Sequence, residues 1–306
     1  MSDKKIAFVF AGQGSQKVGM GLDFYNDYES TRLVFDQLDS QIKQACFYGP
    51  ETELNNTIAT QQSLLAFGVA IALVLKQNQI NASYCAGLSL GEYTALTYAN
   101  ALSIKDALHV VKARSQIMHD ALLNTDSTMM AVINVSLTDV QKVCKEVSLL
   151  GVCEVANINS LTQVVISGHS SALERARLLL SSYPKARIVP LTVAGAFHTS
   201  LLQDASKQLA NVLKTININQ PQIPVVFNVN GKSQNDNIAE LLTKQIHNTV
   251  YFSDSINFMI SKGIDTFIEI SPKPIIKGLI NSIDKNVNCY CVSNIESLNS
   301  LLEVLQ

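Results

Sequence analysis

Several features that would mark a specialised class of protein are missing from this 306-residue sequence. It has no tryptophan, only 7% aromatic and 16% charged residues, and a net charge of −2. The excess of basic residues that nucleic acids and acidic membrane surfaces attract is therefore absent. No apolar run reaches the ~18 residues that a membrane-spanning helix requires, and Ile6–Phe10 is too short for the core of a signal peptide. The sequence predicts a globular protein that binds neither nucleic acid nor membrane.

Clustered cysteines are also scarce. The six cysteines are spread along the chain, mostly within apolar runs: Cys46, Cys85, Cys144, Cys153, Cys289 and Cys291. Only the last two are close together, and two alternate residues of a strand do not make a metal-binding set. We expect reduced cysteines that serve as small hydrophobic side chains in a cytoplasmic protein, and no bound metal.

What the sequence does contain is a glycine-flanked serine. Gly87 and Gly91 lie two residues on either side of Ser89, after the predicted strand Tyr84–Ala86 and before a helical pattern. This is the spacing of a nucleophile elbow, a tight turn that lifts the serine hydroxyl towards a helix N-terminus. Unpaired N–H groups there favour a developing negative charge. Because the same pattern occurs in ordinary glycine-rich turns, it needs support from the rest of the chain.

A second glycine-rich segment, residues 11–16, follows the apolar run Lys5–Phe10, which we interpret as a buried parallel strand. Gly12 and Gly14 would allow the backbone of this loop to approach a ligand closely, although glycines at this place could simply end the strand. The third glycine of a dinucleotide-binding fingerprint is missing, so we do not predict a Rossmann site.

Helical periodicity follows over Tyr28–Ile42 and, more strongly, over Gln61–Lys76. Ser103, with Asp106 three residues later, resembles a capping box at the start of another helix. That helix carries Arg114 away from the centre of its apolar stripe. An arginine in such a place is usually a solvated surface charge.

From residue 129 the pattern changes to strand, helix, strand, strand, helix, strand, which is the order of a ferredoxin-like unit. These elements are predicted at Met129–Val135, Leu137–Leu149, Val152–Asn157, Gln163–Gly168, Ser170–Ser182 and Arg187–Val193. Helices are then predicted over Leu202–Ile216, Ile238–His247, Ser253–Lys262, Pro274–Ser282 and the C-terminus, and strands over Pro224–Asn228, Thr266–Ile270 and Asn288–Val292. We predict an α/β fold in which a large α/β-hydrolase-like domain with a parallel sheet (1–127 and 195–306) carries a small inserted ferredoxin-like domain (128–194).

A serine nucleophile needs a base, and the chain has five histidines. Four of them lie where surface or helix-capping histidines are common: His109, His119, His169 and His247. His198 differs, because it lies in segment 195–202, where the inserted unit returns to the large domain. Clefts form at such junctions, so His198 is the candidate base.

With these residues in place, the sequence resembles the malonyl-CoA:acyl carrier protein transacylases and the related acyltransferases of polyketide synthesis. The resemblance covers nearly the whole chain through several motifs in the same order. The matching segments are Phe10–Gln16, Gly49–Asn55, Gly87–Tyr93, Arg114 with Met118, Asn157–Gly168, Ala196–Leu202, Asn228-Val229 and Gln245.

The resemblance implies a role for each main residue. Ser89 would carry the malonyl group as an ester, and His198 would be the general base and then the acid. The family orients this histidine with a main-chain carbonyl, here that of Gln245, so no aspartate is required. The backbone N–H groups of Gln13 and Leu90 would form the oxyanion hole.

The resemblance also implies substrate contacts for Arg114, Met118, Phe197 and Gln245. A guanidinium 25 residues after Ser89 could hold the free malonyl carboxylate by two parallel hydrogen bonds and so exclude neutral acyl groups. Phe197, which precedes the base, would be a steric wall against a 2-methyl branch, or it could simply be part of the core.

The implied partners are malonyl-CoA and an acyl carrier protein, with no cofactor, and we expect a monomer. Carrier proteins are acidic, so a basic rim is expected near the cleft, and the candidates are Lys185, Arg187, Lys273 and Lys277. Leu88 departs from the family, where a histidine often precedes the nucleophile. The pathway therefore stays open between fatty-acid and polyketide synthesis. An acyl hydrolase that clears carrier proteins is a third possibility, which Arg114 disfavours.

Overall fold

A computed structural model describes residues 5–234 and 237–305. Its strands are β1 (Ile6–Phe10), β2 (Tyr84–Gly87), β3 (Ser127–Ile133), β4 (Cys153–Ser160), β5 (Gln163–His169), β6 (Arg187–Pro190), β7 (Val225–Phe227), β8 (Lys232–Ser233), β9 (Thr266–Ile270) and β10 (Asn288–Val292). Its α-helices are α1 (Leu22–Asp27), α2 (Glu29–Phe35), α3 (Ser40–Tyr48), α4 (Glu51–Leu54), α5 (Thr57–Gln77), α6 (Gly91–Tyr98), α7 (Ile104–Leu122), α8 (Leu137–Glu146), α9 (Ser170–Leu180), α10 (Gln203–Leu213), α11 (Ile238–Gln245), α12 (Phe252–Ser261), α13 (Ile276–Ile283) and α14 (Ile295–Leu305). The strands form two separate sheets.

The large sheet has the strand order β10-β9-β1-β2-β7-β8. Its first five strands are parallel, and β8 is antiparallel to β7. Alternate residues of β1 belong to different cores: Phe8 and Phe10 pack with α5 and α6, whereas Ala7 and Val9 pack with α12 and α13. Helices therefore cover both faces, which explains why this strand is apolar along its whole length.

The small sheet has the order β4-β5-β3-β6, and all of its pairs are antiparallel. One face, which includes Met130 and Val132 of β3, packs against α8 and α9. The alternate residues Met129 and Ala131, with Val165 of β5, join the main core and line a cleft. The small sheet therefore forms a wall of the site, and the observed architecture agrees with the predicted α/β class.

The predicted helix over Tyr28–Ile42 is wrong, because two helices occupy this region. Helix α2 ends at Phe35 and α3 begins at Ser40. In the turn between them, the Asp36 carboxylate accepts hydrogen bonds from Tyr25 and from Lys43, while Leu38 is buried. The turn is therefore fixed by tertiary contacts that a periodic pattern cannot reveal.

Strands β9 and β10 have the predicted ends. The other predicted elements are present with shifted ends, and β8 with helices α1 and α4 had not been predicted. Helix α8 ends at Glu146 and passes into a 3-10 turn at Ser148–Leu150. Strand β6 ends at Pro190 rather than at residue 193, because Leu191 and Val193 turn into the cleft.

Helix α5 departs from the expectation that no segment could span a membrane. Its 21 residues include a window with a mean hydropathy of 1.9, enough for a membrane span by length and composition alone. However, 89% of that window is buried inside the fold. This is the burial of a core helix, because a lipid-facing helix would present its apolar surface outwards.

Candidate active site

The glycine-flanked turn connects β2 to α6. Ser89 has a φ of +53°, in the left-handed region that non-glycine residues rarely occupy. The flanking glycines are required by close contacts: a Cβ on Gly87 would lie 1.9 Å from the carbonyl carbon of Gly91, and one on Gly91 would lie 2.2 Å from the Phe10 oxygen. Any side chain at either position would push the turn apart, which explains the G-x-S-x-G spacing.

His198, the predicted base, lies with its Nε2 2.8 Å from Ser89 Oγ. Its Nδ1 lies 2.8 Å from the main-chain oxygen of Gln245. Because a carbonyl only accepts, Nδ1 carries the proton and Nε2 accepts from the serine hydroxyl. His198 is 4% exposed, and burial, followed by the nearby charge of Arg114, lowers its pKa from 6.5 to about 4. The imidazole is therefore neutral at pH 7 and able to take a proton.

The predicted oxyanion donors, Gln13 and Leu90, both line the cleft beside Ser89. Within the described part of the chain, the amide N–H groups of these two residues donate to no acceptor. Gly12 brings the first loop close to the elbow, since a Cβ there would lie 2.4 Å from the carbonyl oxygen of Leu88. Two free backbone donors thus stand next to the serine, as an oxyanion hole requires.

Arg114 is only 1% exposed, which corrects the expectation of a solvated surface charge. Its Nη1 donates to Gln61 Oε1 at 2.8 Å, and its Nη2 donates at 3.1 Å both to Ser89 Oγ and to Gln245 Oε1. Its Nε has no partner among the described residues, and burial lowers the pKa of the guanidinium. A buried cation whose hydrogen-bond partners are neutral can bind an anion without displacing another anion.

The cleft around these groups has a volume of about 330 Å³. The predicted site residues that line it are Gln13, Ser89, Leu90, Arg114, Met118, Phe197 and His198. Leu88, the departure from the family pattern, also lines the cleft. Gln245 does not: it is fully buried and contacts His198 and Arg114 from beneath. The contact of its main-chain oxygen with His198 is the one that the resemblance implies. Its side chain contacts Arg114 and does not line the cleft, as a substrate-binding residue would.

Three buried polar residues contact this site although sequence reasoning did not assign them roles. Gln61 connects Arg114 to the loop that carries Gln13. Its side-chain oxygen accepts a hydrogen bond from Arg114, and its side-chain nitrogen donates to the side-chain oxygen of Gln13 at 3.2 Å. The sequence did offer one indication of Gln61, because a polar glutamine is unexpected within the apolar helix α5. Asn228 binds the backbone of the elbow. Glu92 is fully buried, which raises its pKa to about 8, so it is mostly protonated at neutral pH.

The four basic residues predicted for a docking rim are all exposed: Lys185, Arg187, Lys273 and Lys277. They are absent from the residues that line the cleft. Ile275, which lies between the last two, does line it. Lys273 and Lys277 therefore flank a residue of the cleft, whereas Lys185 and Arg187 do not.

A serine in a strained strand–helix turn, with a neutral histidine and two free amide donors beside it, is typical of enzymes that transfer acyl groups through a serine ester. In agreement, the family described as "Acyl transferase domain" matches residues 7–298 of the chain. The chain therefore belongs to the acyl transferase family. This confirms the resemblance drawn from the motifs.

The similar proteins narrow the relationship further. The malonyl CoA-acyl carrier protein transacylase of Bacillus subtilis (strain 168) is 34% identical, over 99% of this chain and 98% of that protein. The crystal structure of the transacylase of the same name from Clostridium perfringens is 37% identical, with a TM-score of 0.94 and coverage of 98% and 97%. A complex of a type II polyketide carrier protein with its malonyl-transacylase contains a chain that is 34% identical, with a TM-score of 0.94 and coverage of 98% and 100%.

Proposed function

We propose that this protein transfers the malonyl group from malonyl-CoA to the phosphopantetheine thiol of an acyl carrier protein, through a malonyl ester on Ser89. The observation that carries the proposal is that a base and a cation both contact the hydroxyl oxygen of the nucleophile. Ser89 Oγ lies 2.8 Å from His198 Nε2 and 3.1 Å from Arg114 Nη2. A nucleophile with a base on one side and a buried cation on the other suits an acyl group that ends in a carboxylate.

In the first half of the reaction, His198 Nε2 takes the hydroxyl proton while Ser89 Oγ attacks the thioester carbonyl. The N–H groups of Gln13 and Leu90 stabilise the tetrahedral oxyanion. Collapse of this intermediate breaks the carbon–sulfur bond, and the imidazolium gives its proton to the departing CoA thiolate, which leaves as the thiol. The main-chain oxygen of Gln245 holds the ring in the required tautomer throughout.

In the second half, the carrier-protein thiol gives its proton to His198 and attacks the Ser89 ester. Breakdown of the second tetrahedral intermediate returns the proton to Ser89 Oγ and releases the malonyl thioester. The reaction needs no cofactor or metal, because the acyl donor is already activated as a thioester and His198 takes the proton of the attacking thiol. Since CoA leaves before the carrier protein reacts, the kinetics are of the ping-pong type.

Arg114 selects the acyl group. The malonyl carboxylate lies one methylene away from the reacting carbonyl, so a guanidinium 3.1 Å from Ser89 Oγ is within reach of it. An acetyl group would leave the cation unpaired and a hydrolase would not need the cation, which argues against the acyl hydrolase. Phe197, at the cleft wall with 7% exposure, would exclude a 2-methyl branch, and Met118 would bound the acyl pocket.

Two subdomains suit this chemistry: an α/β-hydrolase-like domain (1–127 and 195–306) that supplies nucleophile and base, and a ferredoxin-like domain (128–194) that covers them. The antiparallel order β4-β5-β3-β6, with α8 and α9 on one face, supports the ferredoxin-like description. Strand β3 begins at Ser127, one residue before the proposed boundary.

The proposed pathway is fatty-acid elongation in the cytoplasm, by a monomer. Six free thiols, five of them buried, support a reducing compartment. A discrete acyltransferase of polyketide synthesis is the second candidate. It is supported by the similar chain solved with a type II polyketide carrier protein and by Leu88 at the cleft.

The test is intact mass spectrometry of the protein after incubation with malonyl-CoA or acetyl-CoA. We expect a malonyl adduct that is absent in Ser89→Ala and that moves to a holo carrier protein when this is added. Release of free malonate without carrier protein would indicate a hydrolase instead. The absence of an adduct from either donor would refute the Ser89 ester.

A further inference from the structure

The conformation of Ser89 needs support from outside the turn. A left-handed φ of +53° is unfavourable for a residue with a side chain, because the Cβ atom lies too close to the following carbonyl oxygen. Such strain persists only where the surroundings hold it. Within the turn itself, Gly91 N–H donates to Leu88 O and Glu92 N–H donates to Ser89 O. Neither bond engages the N–H of Ser89.

The N–H of Ser89 is held by Asn228. Asn228 Oδ1 accepts from Ser89 N at 2.8 Å, and Asn228 Nδ2 donates to Gly87 O at 2.7 Å. One side-chain amide thus binds the backbone on both sides of Leu88. Because Ser89 N–H can only donate and Gly87 O can only accept, the orientation of this amide is fixed by its partners.

Asn228 is itself immobilised. It is fully buried at the end of β7, its backbone N–H donates to Glu92 Oε2 at 2.5 Å, and its carbonyl accepts from Tyr251 N at 2.7 Å. Gln245 Nε2, which donates to Ser89 O at 2.8 Å, also approaches Asn228 Oδ1 at 3.4 Å. Asn228 does not line the cleft, so it would act on the reaction through the residues it holds, of which Ser89 and Gly87 make the short contacts.

We propose that Asn228 is a positioning residue whose side-chain amide holds Ser89 in its left-handed conformation, with Glu92 anchoring the backbone of Asn228. This rests on the proposed role of Ser89 as the nucleophile. The held conformation keeps Oγ 2.8 Å from His198 Nε2 and 3.1 Å from Arg114 Nη2. Without the amide, Ser89 N–H and Gly87 O are left unpaired in a buried turn, and the turn can relax away from the base.

The substitution Asn228→Asp gives a sharp test. While protonated, the new carboxyl group would present one acceptor to Ser89 N–H and one donor to Gly87 O, as the amide does. Once ionised, it would have no donor and would place a negative oxygen against Gly87 O. Of the ionisable groups around it, Glu92 contacts Asn228 directly, whereas His198 and Arg114 contact Ser89, which Asn228 binds. All three groups are present in the wild-type protein.

The experiment measures labelling of Ser89 by an alkyl fluorophosphonate, in which Oγ forms a bond to phosphorus, fluoride leaves, and His198 takes the proton. Single-turnover malonylation is measured in parallel. For Asn228→Ala we expect both rates to fall by roughly 100-fold, with the half-saturating malonyl-CoA concentration within about threefold of wild type. For Asn228→Asp, the deficit relative to wild type should shrink as the pH is lowered from about 8 to about 5. Asn230→Ala, in the same segment but bound to Gln234 and Lys232, is the matched control and should react normally.

A folded Asn228→Ala protein that labels at the wild-type rate would overturn the proposal. So would a deficit confined to the malonyl-CoA concentration needed for saturation, or an Asn228→Asp deficit that does not change with pH. If Asn228→Ala does not fold, the pH dependence of Asn228→Asp decides. If the wild-type protein reacts with the fluorophosphonate but not with malonyl-CoA, the proposed function fails while the labelling data still judge Asn228.

Discussion

Replacement of Arg114 by alanine would separate recognition of the malonyl carboxylate from the chemistry at Ser89. The guanidinium is 1% exposed, and its hydrogen-bond acceptors are Gln61, Gln245 and Ser89. None of these carries a charge, and Glu92, the nearby acid, has a pKa raised to about 8 by burial. The positive charge of Arg114 is therefore available to the substrate, and its removal leaves the malonyl carboxylate without a partner.

The magnitude follows from burial. Removing one partner of a buried ion pair costs about 3–5 kcal/mol, and each 1.36 kcal/mol is a factor of ten. We therefore expect kcat/KM for malonyl-CoA to fall roughly 150- to 5,000-fold in Arg114→Ala. For acetyl-CoA the loss is the hydrogen bond between Nη2 and Ser89 Oγ, worth about 1 kcal/mol, or less than about tenfold, and it is partly offset because His198 becomes a stronger base without the nearby cation. The preference for malonyl over acetyl should thus fall by at least about tenfold.

The assay is acyl transfer from each donor to a holo carrier protein, followed by mass spectrometry of the carrier. Arg114→Lys keeps the charge but lacks the planar fork, so it should recover only part of the preference. Lys112→Ala removes an exposed charge from the same helix and should behave as wild type. Equal losses for both donors in a folded Arg114→Ala protein would refute carboxylate recognition by this residue.

Four further outcomes follow from the site and its turn. Because the pKa of His198 is lowered from 6.5 to about 4, kcat/KM should decrease only as the pH falls to about 4, where the base becomes protonated. The same shift makes folding stability decrease as the pH falls from 6.5 towards 4, since the unfolded chain takes up the proton first. Gly87→Ala would place a Cβ 1.9 Å from a carbonyl carbon and should destabilise the protein by about 3 kcal/mol in denaturant unfolding. Gly278→Ala, with nothing within 4 Å, is its control and should be neutral or stabilising. Phe197→Ala should raise the methylmalonyl-to-malonyl rate ratio by roughly tenfold, since one methyl group in a pocket is worth about 1–3 kcal/mol, and an unchanged ratio would contradict the steric wall.

A residue of the site could be predicted from the sequence where its neighbours in the chain form a recognisable pattern. The elbow at Ser89 follows from two glycines at fixed spacing, and its strand and helix follow from hydrophobic periodicity. Arg114 could be assigned only through resemblance, because periodicity places it near the edge of a stripe while the fold buries it. Asn228 lies in one of the segments that match the family, but nothing in its neighbourhood in the sequence indicates a role. It meets the elbow because β7 pairs with β2, 139 residues away from Ser89 in sequence.

The positive charge of Arg114 would affect both the choice of acyl group and the basicity of His198. In the free protein, Arg114 contributes to the lowered pKa of His198, because a nearby cation disfavours the imidazolium. A malonyl carboxylate bound to Arg114 would cancel much of that charge. His198 would then become a stronger base, and the imidazolium that forms as Ser89 attacks would be better stabilised, whereas an acetyl group would leave the cation in place. In the proposed reaction, the same arginine would therefore favour malonyl twice, once by pairing with its carboxylate and once by letting that carboxylate assist the proton transfer.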